Sequence, residues 1–247
     1  MDNTKNLQKI FEELQSIFSG HQHNKKELHS WFHHYLYLLK LSSFCQGNTL
    51  EIGTGFGVLA AGLSKQPGKR VFTIEHPSRT YFQESQYINY FFKNQIHLIG
   101  ADISKGLPFG SNAFDLVCCC DVIEHLWPKH IDILISEINR VLKPSSYLII
   151  STPNLGRIQN IWRLFKGQPI NPKLSVDMFG DTFGHIREFV PKEIIEMFPN
   201  FDIKKIAYRP LLPVDDSFLS KTGEILSAVA YFLPRWREEF YLLMRKK

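Results

Sequence analysis

Four acidic residues, each near the end of an apolar run, carry the most chemical information in this sequence. They are Glu51, Glu75, Asp102 and Asp121. A carboxylate accepts hydrogen bonds from hydroxyl and amino groups, and it attracts a nearby cation. One acid in such a position is often a solvated turn residue, but four at successive runs indicate a binding site. A ligand of such a site would offer hydroxyl, amino or cationic groups, which carboxylates can bind.

A glycine-rich turn lies between the first two of these acids, in Asn48-Thr-Leu-Glu-Ile-Gly-Thr-Gly-Phe-Gly-Val-Leu-Ala-Ala-Gly62. The apolar run before the turn predicts a strand, and Val58–Ser64 has the pattern of a helix. Such a unit forms the entry to a nucleotide-type site, because missing Cβ atoms let a ligand approach the backbone and the helix N-terminus offers N–H donors. Glu75 follows Gly55 by twenty residues, a spacing that suits an acid binding a ribose diol.

The ligand of this turn is not expected to be a dinucleotide. A dinucleotide-binding turn has the pattern G-x-G-x-x-G, and Val58 occupies the place of its third glycine. No lysine or arginine lies between Glu51 and Ser64, so a diphosphate would find only backbone donors. A cationic ligand without phosphate fits better, which disfavours a nicotinamide-dependent dehydrogenase.

The pattern E-x-G-x-G-x-G that begins at Glu51 resembles the first motif of class I S-adenosylmethionine-dependent methyltransferases. Three later segments are similar to those of small-molecule methyltransferases such as the quinone-biosynthesis enzymes. They are Asp121-Val-Ile-Glu-His-Leu126, Ser151-Thr-Pro-Asn154 and Gly184-His-Ile-Arg-Glu-Phe189. The resemblance covers roughly residues 46–208 and implies S-adenosylmethionine as the cofactor.

The resemblance also implies which residues bind that cofactor: Glu51, Gly53, Gly55, Glu75, Asp102, Ile103 and Asp121. Gly53 and Gly55 would pack on the methionyl part, and Glu75 would accept the ribose hydroxyls. Asp102 and Ile103 would meet the adenine amino group, and Asp121 would lie under the methionyl end. The chemistry agrees, since the adenine amino group is a donor and the sulfonium and α-ammonium groups are cations.

Two histidines are the candidates for catalysis. Methyl transfer from a sulfonium is an in-line displacement, so alignment of the nucleophile does much of the work. A hydroxyl or carbon nucleophile also needs a base, and histidine is suited to that near neutral pH. His125 and His185 are the candidate bases. The alternatives are that His125 fixes the loop after its strand and that His185 only bonds an insertion to the core.

Apolar runs and helical patterns alternate from residue 46 onward, which predicts a parallel sheet covered on both faces. The predicted fold is α/β, a Rossmann-like, doubly wound, seven-stranded and mostly parallel sheet with N-terminal helices and capping insertions. Residues 1–45 are predicted to form a helical cap, and 46–247 the cofactor-binding domain. The predicted strands end at Ile52, Glu75, Gly100, Cys120, Thr152, Tyr208 and Met244.

Two insertions, at about 153–190 and 210–237, are expected to leave the carboxyl edge of the sheet and overhang the ligand. The second has an apolar helical face: Phe218, Leu219, Ile225, Leu226, Val229, Phe232 and Leu233. Together the insertions are predicted to form a substrate lid. The alternatives for the second are peripheral contact with a membrane surface, or packing on the sheet or on a second subunit.

Composition limits the other possibilities. The net charge of +5 is modest and concentrated near the ends, so it is weak evidence for nucleic acid. No signal peptide and no apolar run of about 20 residues is present, which predicts a cytoplasmic protein.

Cys118 to Cys120 are consecutive in an apolar run and are expected to be reduced and buried. Five N-terminal histidines are expected on solvated helix faces, with no metal: His21, His23, His29, His33 and His34.

The sequence therefore predicts S-adenosylmethionine-dependent methyl transfer to a small molecule, a class that includes lipid- and sugar-linked metabolites. A nucleobase acceptor is disfavoured, because the segment after the fourth strand lacks the Asn/Asp-Pro-Pro-aromatic sequence typical of enzymes that methylate exocyclic amines. The alternatives are a protein or RNA methyltransferase, and a methyltransferase-fold protein that binds without turnover. The oligomeric state is open.

Overall fold

A computed structural model of the protein describes residues 3–17, 25–79, 84–170, 175–176, 182–209 and 230–247. The strands are β1 Gly47–Ile52, β2 Lys69–Glu75, β3 His97–Gly100, β4 Phe114–Cys120, β5 Leu142–Pro153, β6 Ser175–Val176, β7 Thr182–Phe183, β8 Phe201–Tyr208 and β9 Glu239–Lys246. The helices are α1 Asn3–Ile17, α2 Lys25–Ser42, α3 Val58–Ser64, α4 Ser85–Lys93, α5 Pro128–Val141, α6 Ile158–Phe165 and α7 Pro191–Met197.

A seven-stranded sheet organises the fold, in the order β3-β2-β1-β4-β5-β9-β8. Neighbours pair in parallel from β3 through β5, and β9 runs antiparallel to both β5 and β8. The carboxyl ends of β1 to β5 and of β8 therefore meet at one edge, where ligands bind in sheets of this kind. The predicted fold class is confirmed.

Alternating side chains of the strands fill two apolar layers, one on each face of the sheet. Leu116 and Cys118 of β4 join a layer with residues of α1, α2, α3 and α4. Val117 and Cys119 join the opposite layer, with residues of α5 and α7. The side chains of adjacent strand residues point to opposite faces, so the near-continuous apolar run of β4 is buried on both sides. Cys118 and Cys119 are buried, as expected, whereas Cys120 at the end of β4 is only partly buried.

The helix after β2 begins later than the sequence suggests. A helix from about Ser78 to Phe92 is expected, but α4 begins at Ser85. The Arg79 N–H donates to the His76 carbonyl and closes a turn, so the chain is not yet helical there. Residues 80–83 lie outside the described part.

The first insertion contains α6 and a hairpin of β6 and β7. The side-chain amide of Asn154 donates to the carbonyls of Arg235 and Arg237, at 2.8 and 2.9 Å, and so joins the start of this insertion to the end of the second. Most of the second insertion, with its apolar positions 218–229, lies outside the described residues. The lid, the membrane contact and the division at residue 45 stay predictions. No described helix combines the length and apolarity needed to cross a bilayer.

Candidate functional site

The glycine turn connects β1 to α3 at the carboxyl edge of the sheet. Gly53 has φ +83°, and a Cβ there would lie 2.5 Å from Cγ2 of Val122, so only glycine fits. Gly55 has φ +49°, and a Cβ there would meet no atom within 4 Å. The turn is thus packed on the side of Gly53 against the segment after β4, and it is open at Gly55. An open backbone of this kind is what a ligand lying across the turn requires.

Glu75, at the end of β2, faces that opening. Its Oε2 accepts the Gly55 N–H at 3.0 Å, and its Oε1 accepts the His76 N–H at 2.8 Å. The Tyr87 hydroxyl donates to the Gly55 carbonyl at 2.8 Å, so the turn is held from both sides. Each carboxylate oxygen has a second lone pair, so Glu75 can still accept the two hydroxyls of a ribose.

Glu51 lies beneath the turn rather than in the opening. Its side chain is buried, and its Oε2 accepts a hydrogen bond of 2.6 Å from the Thr73 hydroxyl. Thr73 in turn is 2.7 Å from the hydroxyl of Thr54 in the turn. Burial raises the pKa of Glu51 to about 8, with a smaller contribution from the charge of Glu75 and an opposing one from the Thr73 hydrogen bond. A direct contact of Glu51 with the cofactor stays a prediction.

Glu51 should make the ligand-free protein less stable as pH rises. The folded pKa, about 8, lies above the reference value of 4.5, so the contribution of this carboxyl is fully present below about pH 4.5 and is lost as pH rises toward 8. Between these two pKa values the free energy of unfolding falls by about 1.4 kcal/mol per pH unit, which lowers Tm by roughly 3–5 °C for a domain of this size. We expect Glu51→Gln, which keeps an acceptor for Thr73, to flatten the fall in Tm between pH 6 and 8. Parallel Tm curves for the two proteins would contradict the raised pKa.

Asp102 and Ile103 follow β3. Oδ1 of Asp102 accepts hydrogen bonds from the Ser104 backbone N–H at 3.0 Å and hydroxyl at 2.6 Å, and Oδ2 lies 3.3 Å from the Lys105 ammonium. These hydrogen bonds hold the pKa of Asp102 below its usual range, so it is a carboxylate at neutral pH. Ile103 is partly buried against the apolar layer that contains residues of α5 and α7. Their contact with adenine stays a prediction.

Asp121, directly after β4, belongs to a buried polar cluster. Its backbone has φ +53°, its N–H donates to the Ser151 carbonyl, and the Ser151 hydroxyl donates to Oδ1 at 3.2 Å. Its Oδ2 lies 3.5 Å from Nε2 of His34, which is 1% exposed, and Nδ1 of His34 is 2.8 Å from Glu239. The expectation of a solvated face is therefore wrong for His34, because α2 packs this side against the sheet. His21 and His23 lie outside the described residues.

The two candidate bases are neighbours, with ring centroids 5.1 Å apart. Nδ1 of His125 is 2.9 Å from the Gly184 carbonyl, and burial lowers the pKa of this histidine to about 4. The first insertion is tied to the segment after β4 at the same place, since the Ile186 N–H donates to the Glu124 carbonyl at 2.8 Å. The fold thus brings together residues about 60 apart in the chain.

The imidazole of His185 contacts a buried carboxylate through Nδ1. Its Nδ1 is 3.1 Å from Oε1 of Glu188, which is fully buried. Arg157 and the side-chain amide of Asn160 each donate to Glu188 at 2.8 Å. Although burial opposes it, the hydrogen bond from His185 and the nearby Arg157 hold the pKa of Glu188 below its usual range. Glu188 therefore fixes Nδ1–H on His185 and leaves Nε2 as the proton acceptor.

Within the described part of the chain, two side-chain groups have the donor atoms for a metal ion. Ligand atoms of Glu124, His125 and His185 lie within 4.8 Å of one another, as do those of His34, Asp121 and Glu239. Two imidazoles and a carboxylate are a common ligand set for divalent transition metals. The sequence predicts no metal site. In the first group, however, the two histidines have the arrangement of metal ligands as well as of bases.

Sequence reasoning missed Glu188 and the His34–Glu239 pair. Glu188 follows His185 by three residues, so local spacing could have indicated it. His34 comes 87 residues before Asp121, and Glu239 comes 118 residues after it, so only the packing of α2 and the pairing of β5 with β9 bring them together.

The comparisons with known proteins agree with this geometry. Residues 50–150 match the family model described as "Methyltransferase domain". The probable pectin methyltransferase QUA2 of Arabidopsis thaliana is 31% identical over 107 residues, which is 42% of this chain and 14% of that protein. The match therefore covers a small part of that relative.

Two solved structures show the same fold. An S-adenosylmethionine-dependent methyltransferase from Archaeoglobus fulgidus aligns over 90% of this chain and 95% of its own, with TM-score 0.56 and 18% identity. The 1,6-didemethyltoxoflavin-N1-methyltransferase of Burkholderia thailandensis, solved with S-adenosylhomocysteine bound, aligns over 85% and 76%, with TM-score 0.54 and 14% identity. Residues 50–150 therefore match a methyltransferase domain, and the chain as a whole has the fold of S-adenosylmethionine-dependent methyltransferases.

Proposed function

We propose that this protein transfers the methyl group of S-adenosylmethionine to a small-molecule acceptor, with His185 as the base. The observation that carries the proposal is the Glu188–His185 pair, which the first insertion brings against the segment after β4. A carboxylate that fixes the tautomer of a histidine is the arrangement of a general base.

The residues present fit the cofactor. Gly55 is open, Glu75 retains acceptor capacity beside it, and Asp102 is ionised. When bound, the cofactor supplies an electrophilic methyl group on a sulfonium. Glu75 would hold the ribose, Asp102 and Ile103 the adenine, and Asp121 the cationic end. The parts of the cofactor that these acids would bind are neutral or cationic. The site therefore needs no basic side chain, which agrees with a ligand without phosphate.

His185 is a better base than His125. Burial gives His125 a pKa of about 4, so it is neutral at physiological pH but takes up a proton poorly. His185 is about one quarter exposed and has Glu188 to stabilise the imidazolium that forms when it accepts a proton. We therefore assign proton removal from a hydroxyl or carbon nucleophile to Nε2 of His185, and orientation of the loop that carries Gly184 to His125.

The acceptor class is inferred from the insertions and from two relatives. On α6, Phe165 is 81% exposed and its ring stacks on Trp162, which offers an apolar surface to a substrate. The two relatives are named for methylation of pectin, a carbohydrate, and of 1,6-didemethyltoxoflavin, a small molecule. Sugar-linked, lipid-linked and heterocyclic acceptors are therefore the first to test. A cytoplasmic location, and the absence of a nucleic acid partner, stay predictions.

The test is incubation of the protein with methyl-labelled cofactor and a fractionated extract of its own cell. Label is expected in a small-molecule fraction with wild-type protein and at a greatly reduced rate with His185→Ala. Label in the protein or RNA fraction would support the alternative acceptors. Absence of label from every fraction, with cofactor binding intact, would indicate a binding protein without turnover.

A further inference from the structure

A buried ionic cluster joins the N-terminal helix α2 to the carboxyl edge of the sheet. His34 of α2 lies between two carboxylates, with Nδ1 2.8 Å from Oε1 of Glu239 and Nε2 3.5 Å from Oδ2 of Asp121. Arg209 contacts the other oxygen of Glu239 at 3.3 Å, and the Tyr241 hydroxyl is 3.2 Å from Nδ1 of His34. His34 and Glu239 are 1% and 4% exposed and are shielded from water, whereas the Asp121 side chain is 22% exposed.

The charges in this cluster favour a protonated His34. Burial alone would lower its pKa, but the carboxylates of Glu239 and Asp121 raise it above the ordinary value. The imidazolium then lies as a cation between the two carboxylates. Burial and the charge of Glu239 raise the pKa of Asp121 to about 7, and the charge of His34 opposes this rise. A neutral histidine would therefore favour a protonated Asp121 over two adjacent buried carboxylates.

On the side of α2 and β9, the Asp121 carboxyl contacts both His34 and Glu239. Its Oδ1 accepts from Ser151, whereas its Oδ2 faces His34. Its left-handed backbone, with φ +53°, is uncommon for a residue other than glycine and needs surrounding contacts to persist. The orientation of the Asp121 carboxylate therefore depends on a side chain from outside the segment 50–150 that matches the methyltransferase domain.

We propose that His34 is a positioning residue for the amino-acid end of the cofactor, acting by holding the Asp121 carboxylate between α2 and β9. The inference rests on the proposed function, in which Asp121 binds the cationic methionyl end. Helix α2 then contributes a residue to the cofactor site.

The test compares two ligands that share adenosine and differ in the amino-acid end, S-adenosylhomocysteine and 5′-methylthioadenosine. His34→Gln should weaken S-adenosylhomocysteine by about tenfold or more and 5′-methylthioadenosine by less than about twofold, measured by calorimetry on the full chain. The matched control is Ser42→Ala on the same helix, which removes a buried hydroxyl that donates to Leu39 and Gln66. Ser42→Ala should affect both ligands equally.

Two further variants keep the test decisive. In Asp121→Asn, the additional change His34→Gln should have little further effect on S-adenosylhomocysteine, because both act on one group. If His34→Gln fails to fold, Glu239→Gln removes the other partner of His34 and should show the same selectivity. Equal loss of both ligands would overturn the positioning role. Failure of the wild type to bind S-adenosylhomocysteine would overturn the proposed function as well, so the two failures are distinct.

Discussion

Replacing Glu75 with alanine is expected to weaken S-adenosylhomocysteine binding by about one to two decades. A carboxylate that accepts two hydroxyls makes charged hydrogen bonds worth about 1.5–3 kcal/mol each. The change also removes the acceptor of the Gly55 N–H, so the turn loses one of its supports. Isothermal titration calorimetry measures the affinity directly.

The control for this experiment is Glu196→Ala, which removes an exposed carboxylate of α7 that pairs only loosely with Lys192, at 3.8 Å. Its affinity should equal that of the wild type. Glu75→Gln keeps the size of the side chain but only one acceptor oxygen, so an intermediate loss is expected. An affinity for Glu75→Ala within twofold of the wild type would show that Glu75 does not bind the ribose.

Replacing His185 with alanine is expected to lower kcat by roughly 10²–10⁴ while cofactor affinity holds. The reason is loss of the only group in the proposed mechanism that takes the proton of the nucleophile. Glu188→Gln should lower kcat less, since the amide can still accept the Nδ1–H but cannot stabilise an imidazolium. The pH–rate profile of His185→Ala should lose its acidic limb.

His130→Ala, a change in α5 outside the candidate site, is the control and should leave kcat unchanged. Turnover that is unaffected in both His125→Ala and His185→Ala would exclude a histidine base and favour an amine nucleophile. Treatment with a chelator tests whether turnover requires a bound metal ion. Loss of turnover on chelation, restored by a divalent metal, would mean that a metal ion is bound, with Glu124 and the two histidines as one of the two candidate ligand sets.

Local patterns were sufficient for most of the sheet and for the glycine turn. The apolar runs are long enough to identify strands such as β4, and Gly53 is required by a close approach to Val122 and by a positive φ. These features depend on neighbours in the sequence, or on the regular way in which parallel strands align. The positions of Glu75 and Asp102 were predictable for the same reason, because they lie at or just after the ends of strands that meet at one edge; their contacts with the cofactor stay predictions.

The parts that were not predicted depend on distant packing. His34 has a polar, helix-surface pattern in the sequence, and only the seating of α2 against β9 buries it. The cofactor contact of Glu51 stays a prediction, but its hydrogen bond from the hydroxyl of Thr73, on the adjacent strand β2, was not foreseen. In both cases the side chain that makes the contact comes from another strand or helix. The residue spacing within one motif therefore could not have predicted these contacts.

The most direct test of the central claim is calorimetric titration of the wild-type protein with S-adenosylhomocysteine and, separately, with NAD. Saturable binding of S-adenosylhomocysteine to one site per chain, with no heat of binding for NAD at the same concentrations, is the predicted result. Binding of NAD without binding of S-adenosylhomocysteine would contradict the assignment of the glycine turn and its acids to S-adenosylmethionine.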